Sequence, residues 1–564
     1  MLDKTGFFMQ FIRLAGPFWH SENKDVVRKL TLSLTALTVM QIAVAVLITE
    51  WSAGLFNALD QHSMADLIKY VGLIVLIFAA NMAITVTHLK VKRRLQRDWR
   101  EWLTDHLIKR WMTDSRHYLV THIQKGAHDN PDGRIAEDIR IATEYAIDLS
   151  HSLFYCLLLL ISFTKILWTL SGVVVLDLLV VEIPVYGHLV WLALFYAATA
   201  SALGWLIGRP LIKATDARQT MEANFRFRLV RERENSLAIA LAHGEQKEQM
   251  RLRTLFQDIM QAWDRQTQAW ANIQLFTSGY SVLSMAFPIL VSSPRYITGS
   301  ISLGALMQSA QSFQQMAAAL SWPVDNMARV AEWRASVERV LGLVEALDHL
   351  EQEIASGDPR RIQRCQSDND RIRIDDLSII RLDGIVVVSD LNEEIRPGER
   401  ILITGNAFSG SKLFKAIVGL WPWGTGRIEL PDGDTVFFMP PRPYLPSGTL
   451  RAAICYPSPP EAFDQDQLAR ALVTAGLQEF EAQLDQIDHW ETALSREQQQ
   501  RFGMVRLLMY QPKWILMENS FDSLDPEGEI AILRLICEKL PDAAMMSITN
   551  EPEAKAFFQR AINL

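Results

Sequence analysis

Long runs of uncharged apolar residues constrain this 564-residue chain more than any other feature of its sequence. A helix needs about 20 predominantly apolar residues to cross the hydrocarbon core of a bilayer. The runs lack the polar stripe at helical period that a soluble helix bundle would show. They predict an all-α membrane domain with six transmembrane helices in residues 1–340. The predicted spans are residues 30–50, 70–90, 149–176, 186–208, 271–293 and 303–324.

The distribution of basic residues predicts the orientation of these spans. Basic residues are dense after the second run, in residues 90–100, and Arg209 and Lys213 follow the fourth run. Because positive charge is retained on the cytoplasmic side of a membrane, both chain termini are predicted to be cytoplasmic. The first 30 residues lack the layout of a cleaved signal peptide, so we expect the first span to be retained. The lipid membrane is therefore the first predicted partner.

A second domain is predicted at residues 373–564, after a charged and turn-rich linker at residues 341–372. Short β-rich segments alternate there with helical ones, which is typical of an α/β domain. The four cysteines of the chain lack CxxC spacing, which excludes a zinc ribbon and a disulfide scaffold, and no metal site is predicted. The net charge of −8 argues against a chain-wide nucleic-acid interface, so no nucleic-acid partner is expected.

Several strings carry a resemblance to a known family. WREWLTDHLIKRW lies at residues 99–111, NPDGRIAEDI at 130–139 and EANFRFRLVRERENSLAIALAHGE at 222–245, while GSISLGALMQSAQSFQQMAAALSW lies at 299–322. Together these strings resemble the SbmA/BacA-type membrane domain. YddA-like fused ABC transporters share that domain, and it is similar to the membrane domain of peroxisomal ABCD-class half-transporters. The order of the C-terminal strings resembles that of an ABC nucleotide-binding domain.

The resemblance implies a fold, cofactors and partners. The implied fold is an exporter-type six-helix ABC membrane domain followed by an α/β ABC nucleotide-binding domain, and the implied cofactors are ATP and Mg²⁺. The family also implies a homodimer in the bacterial inner membrane that moves peptides or related amphipathic solutes. A dimer agrees with physical expectation, because six helices do not enclose a hydrophilic path alone and a two-fold partner closes it.

The segment GNAFSGSKLFK stands where the resemblance places the phosphate-binding loop. An intact loop reads GxxxxGK[ST]: backbone N–H groups surround the phosphates, the lysine reaches the β- and γ-phosphates, and the hydroxyl binds Mg²⁺. Counting forward from Gly405 places Ser411 at the lysine position and Lys412 at the hydroxyl position. Counting backward from the following helix places Gly410 at the lysine position and leaves Ser411 to bind metal. In neither register does a lysine precede a hydroxyl, so the loop is predicted to be vestigial.

The other positions that the resemblance assigns to nucleotide chemistry also depart from the family pattern. Glu518 and Asn519 stand where an Asp-Glu pair would hold Mg²⁺ and activate water, and asparagine lacks the basicity for the second role. In the signature string LSREQQQR, Ser495 is kept but Glu497 replaces a glycine that should approach the γ-phosphate. A carboxylate at that position would repel phosphate charge. Two further departures are Pro441 at the metal-sensing glutamine position and Asn550 at the switch-histidine position.

These departures predict a pseudo-ATPase with no intact catalytic residue, in which binding of ATP and Mg²⁺ is weak or absent. Energy for transport would then come from an ion gradient, as the family members without this domain imply. Two alternatives stay open. In one, the chain forms a heterodimer with an intact ABC half-transporter that supplies a working ATP site. In the other, it is a regulatory or assembly subunit that transports nothing.

Four residues of the membrane domain are candidates for transport or coupling. Lys165 interrupts the third apolar run, where it either lines a cavity that favours acidic or zwitterionic substrates or extends toward the membrane interface. Glu222, Arg226 and Glu234 lie in the cytoplasmic string at 222–245 and either pair cytoplasmic helices or take part in coupling. Relatives often carry a second acid where this chain has Leu237, which weakens an assignment of proton coupling to this string.

Overall fold

The structure is a computed structural model that describes residues 6–122, 130–178, 181–355, 361–381, 383–431, 436–549 and 551–564. The chain divides into two compact units. Unit 1 comprises Met1–Arg110 and Ala127–Glu345, and unit 2 comprises Trp111–Gly126 and Ala346–Leu564.

Long helices form the N-terminal part of the chain, as the apolar runs predict. The helices are α1 (Phe7–Ala15), α2 (Lys24–Asp60), α3 (Met64–Met112), α4 (Arg116–His122), α5 (Pro131–Gly133), α6 (Ile139–Ser171), α7 (His188–Glu234), α8 (Ser236–Leu241), α9 (Glu245–Ile297), α10 (Leu303–Asp325) and α11 (Met327–Ala355). Short 3₁₀ turns lie between α1 and α2 and between α3 and α4, and a π-helical turn at Arg134–Asp138 joins α5 to α6.

Five described helical segments are long and apolar enough to cross a membrane. They are Lys24–Asp60, Met64–Thr121, Pro131–Ser171, His188–Glu234 and Glu245–Ile297. Each is much longer than the roughly 20 residues that a bilayer requires, because charged helical turns continue the helix beyond the apolar run. These extensions agree with the charged helical strings between the predicted spans.

The sixth predicted span corresponds to α10, which has 23 residues but is less apolar than the other five segments. A rise of about 1.5 Å per residue makes α10 long enough to cross a bilayer. It packs against α2, α6, α7 and α9, and it buries Ser309 and Ser312. Because much of its surface contacts other helices, α10 accommodates the polar residues that lower its mean hydropathy.

Gly304 lets α10 approach α2 closely. A Cβ atom on Gly304 would lie 2.1 Å from the carbonyl oxygen of Ala53 and 2.5 Å from Asn57 Oδ1. Instead, the backbone N–H of Gly304 donates a hydrogen bond to Asn57 Oδ1 at 2.9 Å. Farther along the same pair of helices, Gln311 Nε2 donates to Ser52 Oγ at 2.8 Å. Polar side chains therefore fix the register of α10 against α2.

The helix that contains the third predicted span ends before the apolar run of that span does. Helix α6 ends at Ser171, and Gly172 follows with a φ of 60°. The residues after it form an antiparallel hairpin of β1 (Val173–Leu178) and β2 (Val181–Tyr186), in which Val173 pairs with Tyr186. A glycine in the left-handed region ends a helix readily, and the β-branched valines that follow favour a strand.

Unit 2 combines two larger sheets with helices. Its strands are β3 (Gln363–Ser367), β4 (Ile372–Ile380), β5 (Val386–Ile395), β6 (Arg400–Thr404), β7 (Gly424–Pro431), β8 (Val436–Met439), β9 (Gly448–Thr449), β10 (Ile487–Asp488), β11 (Trp514–Glu518), β12 (Ala544–Ile548) and β13 (Arg560–Asn563). Its further helices are α12 (Ala407–Ile417), α13 (Leu450–Cys455), α14 (Gln465–Thr474), α15 (Trp490–Ala493), α16 (Arg496–Tyr510) and α17 (Pro526–Lys539). The segment predicted as a linker, 341–372, contains the end of α11 and the strand β3.

A five-stranded parallel sheet carries the predicted nucleotide-site residues. Its strand order is β13-β6-β12-β11-β8, and all its strand pairs are parallel. A four-stranded sheet has the order β3-β7-β4-β5 and is mixed. Buried side chains of α13, α14, α16 and α17 form one core with those of β11. Because parallel strands end at one edge, the residues after β6, β11 and β12 lie at the same edge of the sheet, where α/β proteins bind ligands.

Candidate nucleotide site and membrane-domain residues

The segment predicted as a phosphate loop is almost entirely helical. Strand β6 ends at Thr404, Gly405 follows with a φ of 101°, and Asn406 is already the N-cap of α12. Asn406 Oδ1 accepts a hydrogen bond from Phe408 N at 2.9 Å. Its carbonyl oxygen accepts from Ser409 N at 2.9 Å and from Gly410 N at 3.2 Å. Three backbone N–H groups of the motif are therefore bonded within the first turn of the helix.

Gly410 lies on α12 against the parallel sheet. A Cβ atom there would lie 2.7 Å from Ile548 Cδ1 and 3.3 Å from Ile403 Cγ2, and both isoleucines are buried. Ser411 follows on the same helix and is partly exposed. The position that one register assigns to the phosphate-binding lysine thus has little space for any side chain.

Lys412 contacts aromatic rings. Its Nζ atom lies 3.3 Å from the ring centroid of Trp421 and 5.2 Å from that of Phe408. Burial, with the nearby charges of Lys415 and Arg381, lowers the pKa of Lys412 to about 8. A cation over aromatic faces is stabilised there by cation–π attraction. The Lys412 side chain therefore contacts Phe408, which lies on α12, and Trp421, which follows that helix.

The end of β11 holds Glu518 and Asn519, as predicted for the second nucleotide-binding strand. Glu518 is the last residue of β11 and is partly buried. Asn519 has a φ of 44°, and its backbone N–H donates to the carbonyl oxygen of Ile548 at 2.9 Å. The side-chain Oδ1 of Asn519 is buried and has no hydrogen-bond partner among the described residues. Asn550, predicted at the switch-histidine position, lies outside the described residues.

A cavity of about 260 Å³ lies at this edge of the sheet, beside Gly405 and Asn406. Its lining includes one acidic and one basic side chain, Glu551 and Lys555. Thr549 also lines the cavity, and its hydroxyl donates to Glu529 Oε1 at 2.6 Å. Burial raises the pKa of Glu529, and the charge of Glu551 raises it further.

The signature string forms a capped helix start. The Ser495 hydroxyl accepts from Gln498 N at 3.2 Å, and Gln498 Oε1 accepts from Ser495 N at 2.9 Å, which is a capping box. Glu497 is about half exposed and pairs with Arg501 at 2.9 Å. The Ser495 hydroxyl and the Glu497 carboxylate therefore have partners within their own helix.

Gln500, in the same string, joins three segments of unit 2. Its Nε2 donates to the carbonyl oxygen of Pro441 at 3.0 Å and to Asp522 Oδ1 at 2.6 Å. Its Oε1 accepts from Ser523 N at 3.1 Å, and its side chain is buried. The segment after β8 and the segment after β11 are thus tied to the start of α16.

The membrane-domain candidates lie on two helices of unit 1. Lys165 is exposed on α6, six residues before the helix ends at Ser171. On α7, Glu222 accepts a hydrogen bond from Arg218 Nε at 2.8 Å, whereas Arg226 and Glu234 are exposed. Among the described residues, Lys165 on α6 does not form a common site with the three candidates on α7.

Comparisons with known proteins agree with this architecture. Residues 18–297 match the family model of the ABC transporter transmembrane region 2. The chain is 28% identical over 547 residues to the inner membrane ABC transporter ATP-binding protein YddA of Escherichia coli (strain K12). This match covers 96% of this chain and 95% of that protein. It is 27% identical over 598 residues to ABC transporter D family member 2, chloroplastic, of Arabidopsis thaliana, which covers 93% of this chain and 82% of that protein. The chain is similar to ABC transporters, including members of the D subfamily.

The chain has the fold of an ABC exporter. A bacterial Atm1-family ABC exporter, solved with ATP bound, superposes with a TM-score of 0.67 over 96% of this chain and 94% of that one, at 15% sequence identity. The prediction of a helical membrane domain followed by an α/β nucleotide-binding-type domain is confirmed, and so is the resemblance to YddA and ABCD proteins. The SbmA/BacA-type relation and the residue roles stay predictions.

Sequence reasoning missed three features of this chain. The first is Arg496, which stands between Ser495 and Glu497. Both positions at which the family string has glycine therefore carry charged side chains, and a comparison of the two strings residue by residue would have found this. The hydrogen bonds of Gln500 and the contact between His88 and His151 of unit 1 are missed for another reason. They join residues far apart in the chain, and the sequence carries no local signal for either.

Proposed function

We propose that this chain is an inner-membrane transporter that works as a homodimer and moves peptides or related amphipathic solutes without hydrolysing ATP. Its C-terminal domain has the ABC fold and stabilises the dimer. An ion gradient across the membrane supplies the energy for transport. Both chain termini are cytoplasmic, in line with the basic residues that follow the second and fourth apolar runs.

The start of α12 immediately after Gly405 and Asn406 carries this proposal. A phosphate cradle requires free backbone N–H groups at the end of a loop, and here those of Phe408, Ser409 and Gly410 are bonded to Asn406. Lys412, the lysine that directly follows Ser411, contacts the ring of Trp421. The described residues of this segment therefore do not fit the triphosphate of ATP or its Mg²⁺ ion.

Two further positions support the absence of hydrolysis. Asn519 has no proton-accepting carboxylate for the attacking water. Glu497 places a half-exposed carboxylate where a partner's nucleotide phosphate would approach in an ABC dimer, and like charges repel. Both changes spare the hydrophobic core, so the domain keeps its fold while its chemistry is lost.

The exposed apolar surface of α7, α8 and α9 supports a dimer. Leu237 and Leu241 of α8 are 73% and 75% exposed, and Phe227 of α7 and Met250 of α9 are also exposed. These residues lie in the charged, predicted cytoplasmic string and beyond it, where lipid does not cover them. Exposed apolar patches of this kind mark interaction surfaces, and a second copy of the chain supplies a symmetric cover.

Uptake by the purified full-length protein in lipid vesicles tests the proposal. We expect labelled peptide to accumulate when a pH gradient is imposed, to stop accumulating when a protonophore is added, and to show no response to ATP. Vanadate-sensitive hydrolysis of ATP by the protein alone would refute the pseudo-ATPase assignment. ATP-driven uptake that requires a second, co-purifying ABC subunit would favour the heterodimer, and no uptake under any condition would favour a regulatory subunit.

Variants of Lys165 test its role in the same assay. Lys165→Met keeps the length of the side chain and removes its charge, whereas Lys165→Arg keeps the charge. If Lys165 lines the substrate path, Lys165→Met should lower uptake of acidic peptides relative to neutral ones, and Lys165→Arg should not. Equal uptake of both peptide types by both variants would assign Lys165 to the membrane interface.

A further inference from the structure

Two histidines of unit 1 meet at the predicted inner ends of the second and third spans. His88 lies on α3 and is buried, and His151 lies on α6. Their Nε2 atoms are 2.7 Å apart, and their ring centroids are 4.4 Å apart. One imidazole therefore donates a hydrogen bond to the other, which requires that one of the two Nε2 atoms carries no proton. We call this pair of residues the histidine dyad.

Charged side chains lie one helical turn from the histidine dyad. Lys92 Nζ of α3 is 3.1 Å from Asp148 Oδ1 of α6, and Arg329 of α11 donates to Asp148 Oδ2 at 3.0 Å. Gln96 of α3 also donates to Asp148, at 2.9 Å. The ion pair of Lys92 with Asp148 thus lies beside the dyad, four residues after His88 on α3 and three residues before His151 on α6.

The other side of the dyad borders an apolar cavity. The cavity has a volume of about 400 Å³, and His151 lines it. The lining from α1 and α2, which includes Phe11, Thr35 and Thr38, carries no ionisable side chain. An imidazolium ion would find no free counter-charge on one side, because Asp148 already pairs with Lys92 and Arg329, and it would meet an apolar surface on the other. The arrangement of α3 and α6 in this structure therefore favours the neutral dyad.

We infer that the histidine dyad, buried between the Lys92–Asp148 pair and an apolar cavity, is the proton-binding element of the transport cycle. Protonation of both rings would place a hydrogen on each Nε2 and two positive charges within 2.7 Å, which breaks the contact between α3 and α6. An arrangement in which the histidines separate binds protons more tightly, so proton binding shifts the population toward it. The inference rests on the proposed gradient-driven transport.

A distance measurement tests proton binding without transport. The full chain, with its native cysteines replaced by alanine, carries spin labels at Lys90→Cys on α3 and Ser150→Cys on α6. We expect the label distance to lengthen as the pH falls from 8 to 5, with the population ratio changing by up to about tenfold per pH unit for each proton bound. The double substitution His88→Gln and His151→Gln should abolish the change. His62→Gln, in the turn between α2 and α3, should leave it intact.

Glutamine retains a hydrogen-bond donor and acceptor at each position, so the double variant should match the unsubstituted protein in elution volume and in label distance at pH 8. In vesicles, we expect the double variant to lose its gradient-driven uptake at least about tenfold, because the glutamine amide does not bind a proton in the range where histidine does. A label distance that does not respond to pH, or unchanged uptake by the double variant, overturns the inference and leaves the proposed function standing. A pH-dependent distance without gradient-driven uptake supports proton binding by the dyad and contradicts the proposed function.

Discussion

Gly410 offers a direct test of whether α12 occupies the place of a phosphate loop. A Cβ atom at this position would lie 2.7 Å from Ile548 Cδ1 and 3.2 Å from Ile548 Cγ1, whereas carbon atoms in ordinary contact are about 3.5–4.0 Å apart. Gly410→Ala should therefore overpack the interface between α12 and the sheet at a cost of about 1–3 kcal/mol. Replacing a helical glycine by alanine regains about 1 kcal/mol of helix propensity, so we expect a net loss of about 0–2 kcal/mol.

A second substitution separates the clash from other effects. Ile548→Val removes the Cδ1 atom that lies nearest and should by itself cost about 0.5–1.5 kcal/mol. In the double variant the worst contact is gone, so its loss should be smaller than the sum of the single losses by about 1–2 kcal/mol. Gly72→Ala is the matched control, because Gly72 lies within α3 and a Cβ atom there would meet nothing within 4 Å. We expect it to be neutral or slightly stabilising.

Thermal unfolding of the purified full-length variants in detergent measures these differences. For a domain of this size, 1 kcal/mol corresponds to about 2–4 °C in Tm. The reasoning is refuted if Gly410→Ala raises Tm as the control does and its effect adds to that of Ile548→Val. In that case α12 would not pack on the sheet through Gly410, and space for a phosphate cradle would exist. The proposed inability of this segment to bind nucleotide would then lack its main structural support.

Two further predictions concern contacts that hold unit 2 together. Gln500→Leu should lower the free energy of unfolding by about 1–3 kcal/mol, because it removes the three hydrogen bonds that the buried Gln500 side chain makes to Pro441, Asp522 and Ser523, and chemical denaturation should show the loss; a loss below about 1 kcal/mol would contradict it. Burial acts to raise the pKa of the Glu399 carboxyl. The hydrogen bond that Arg560 donates to this carboxylate acts in the other direction and helps to hold the pKa below its ordinary value. A lowered carboxyl pKa stabilises the fold above the unfolded pKa and is lost as the pH falls through the folded one. The stability advantage of the protein over Arg560→Gln, about 1 kcal/mol at pH 7, should therefore shrink as the pH falls through the lowered pKa of Glu399, and a pH-independent difference would refute this.

The membrane domain shows how far a one-dimensional pattern reaches. Five of the six predicted spans correspond to long apolar helical segments, because crossing a bilayer imposes a length and a composition that the sequence displays directly. The end of the third span was set by Gly172 and the valines after it, which an apolarity scan does not distinguish from helix. The low hydropathy of α10 has its explanation only in the helices packed around it.

At the candidate nucleotide site, the sequence gives the residue types and the structure gives their contacts. The residue types at Gly405, Gly410, Lys412 and Asn519 follow from the sequence alone, and they carry the prediction of a vestigial site, because a motif is a pattern of residue types at fixed spacing. The sequence left two registers open for the phosphate loop. Both registers include the backbone N–H groups of Phe408, Ser409 and Gly410, and the structure places these three in hydrogen bonds to Asn406 at the start of α12.

Contacts between distant segments were decided only by the tertiary structure. Three such contacts join residues from separate elements. They are the pairing of His88 with His151, the three hydrogen bonds of Gln500 and the cation–π contact of Lys412 with Trp421. Spacing along the chain does not encode such contacts, because they depend on how helices and strands are oriented once they pack. The order of helices and strands and the residue types of the predicted motifs therefore follow from the sequence, whereas the contacts among those side chains follow from how the elements pack.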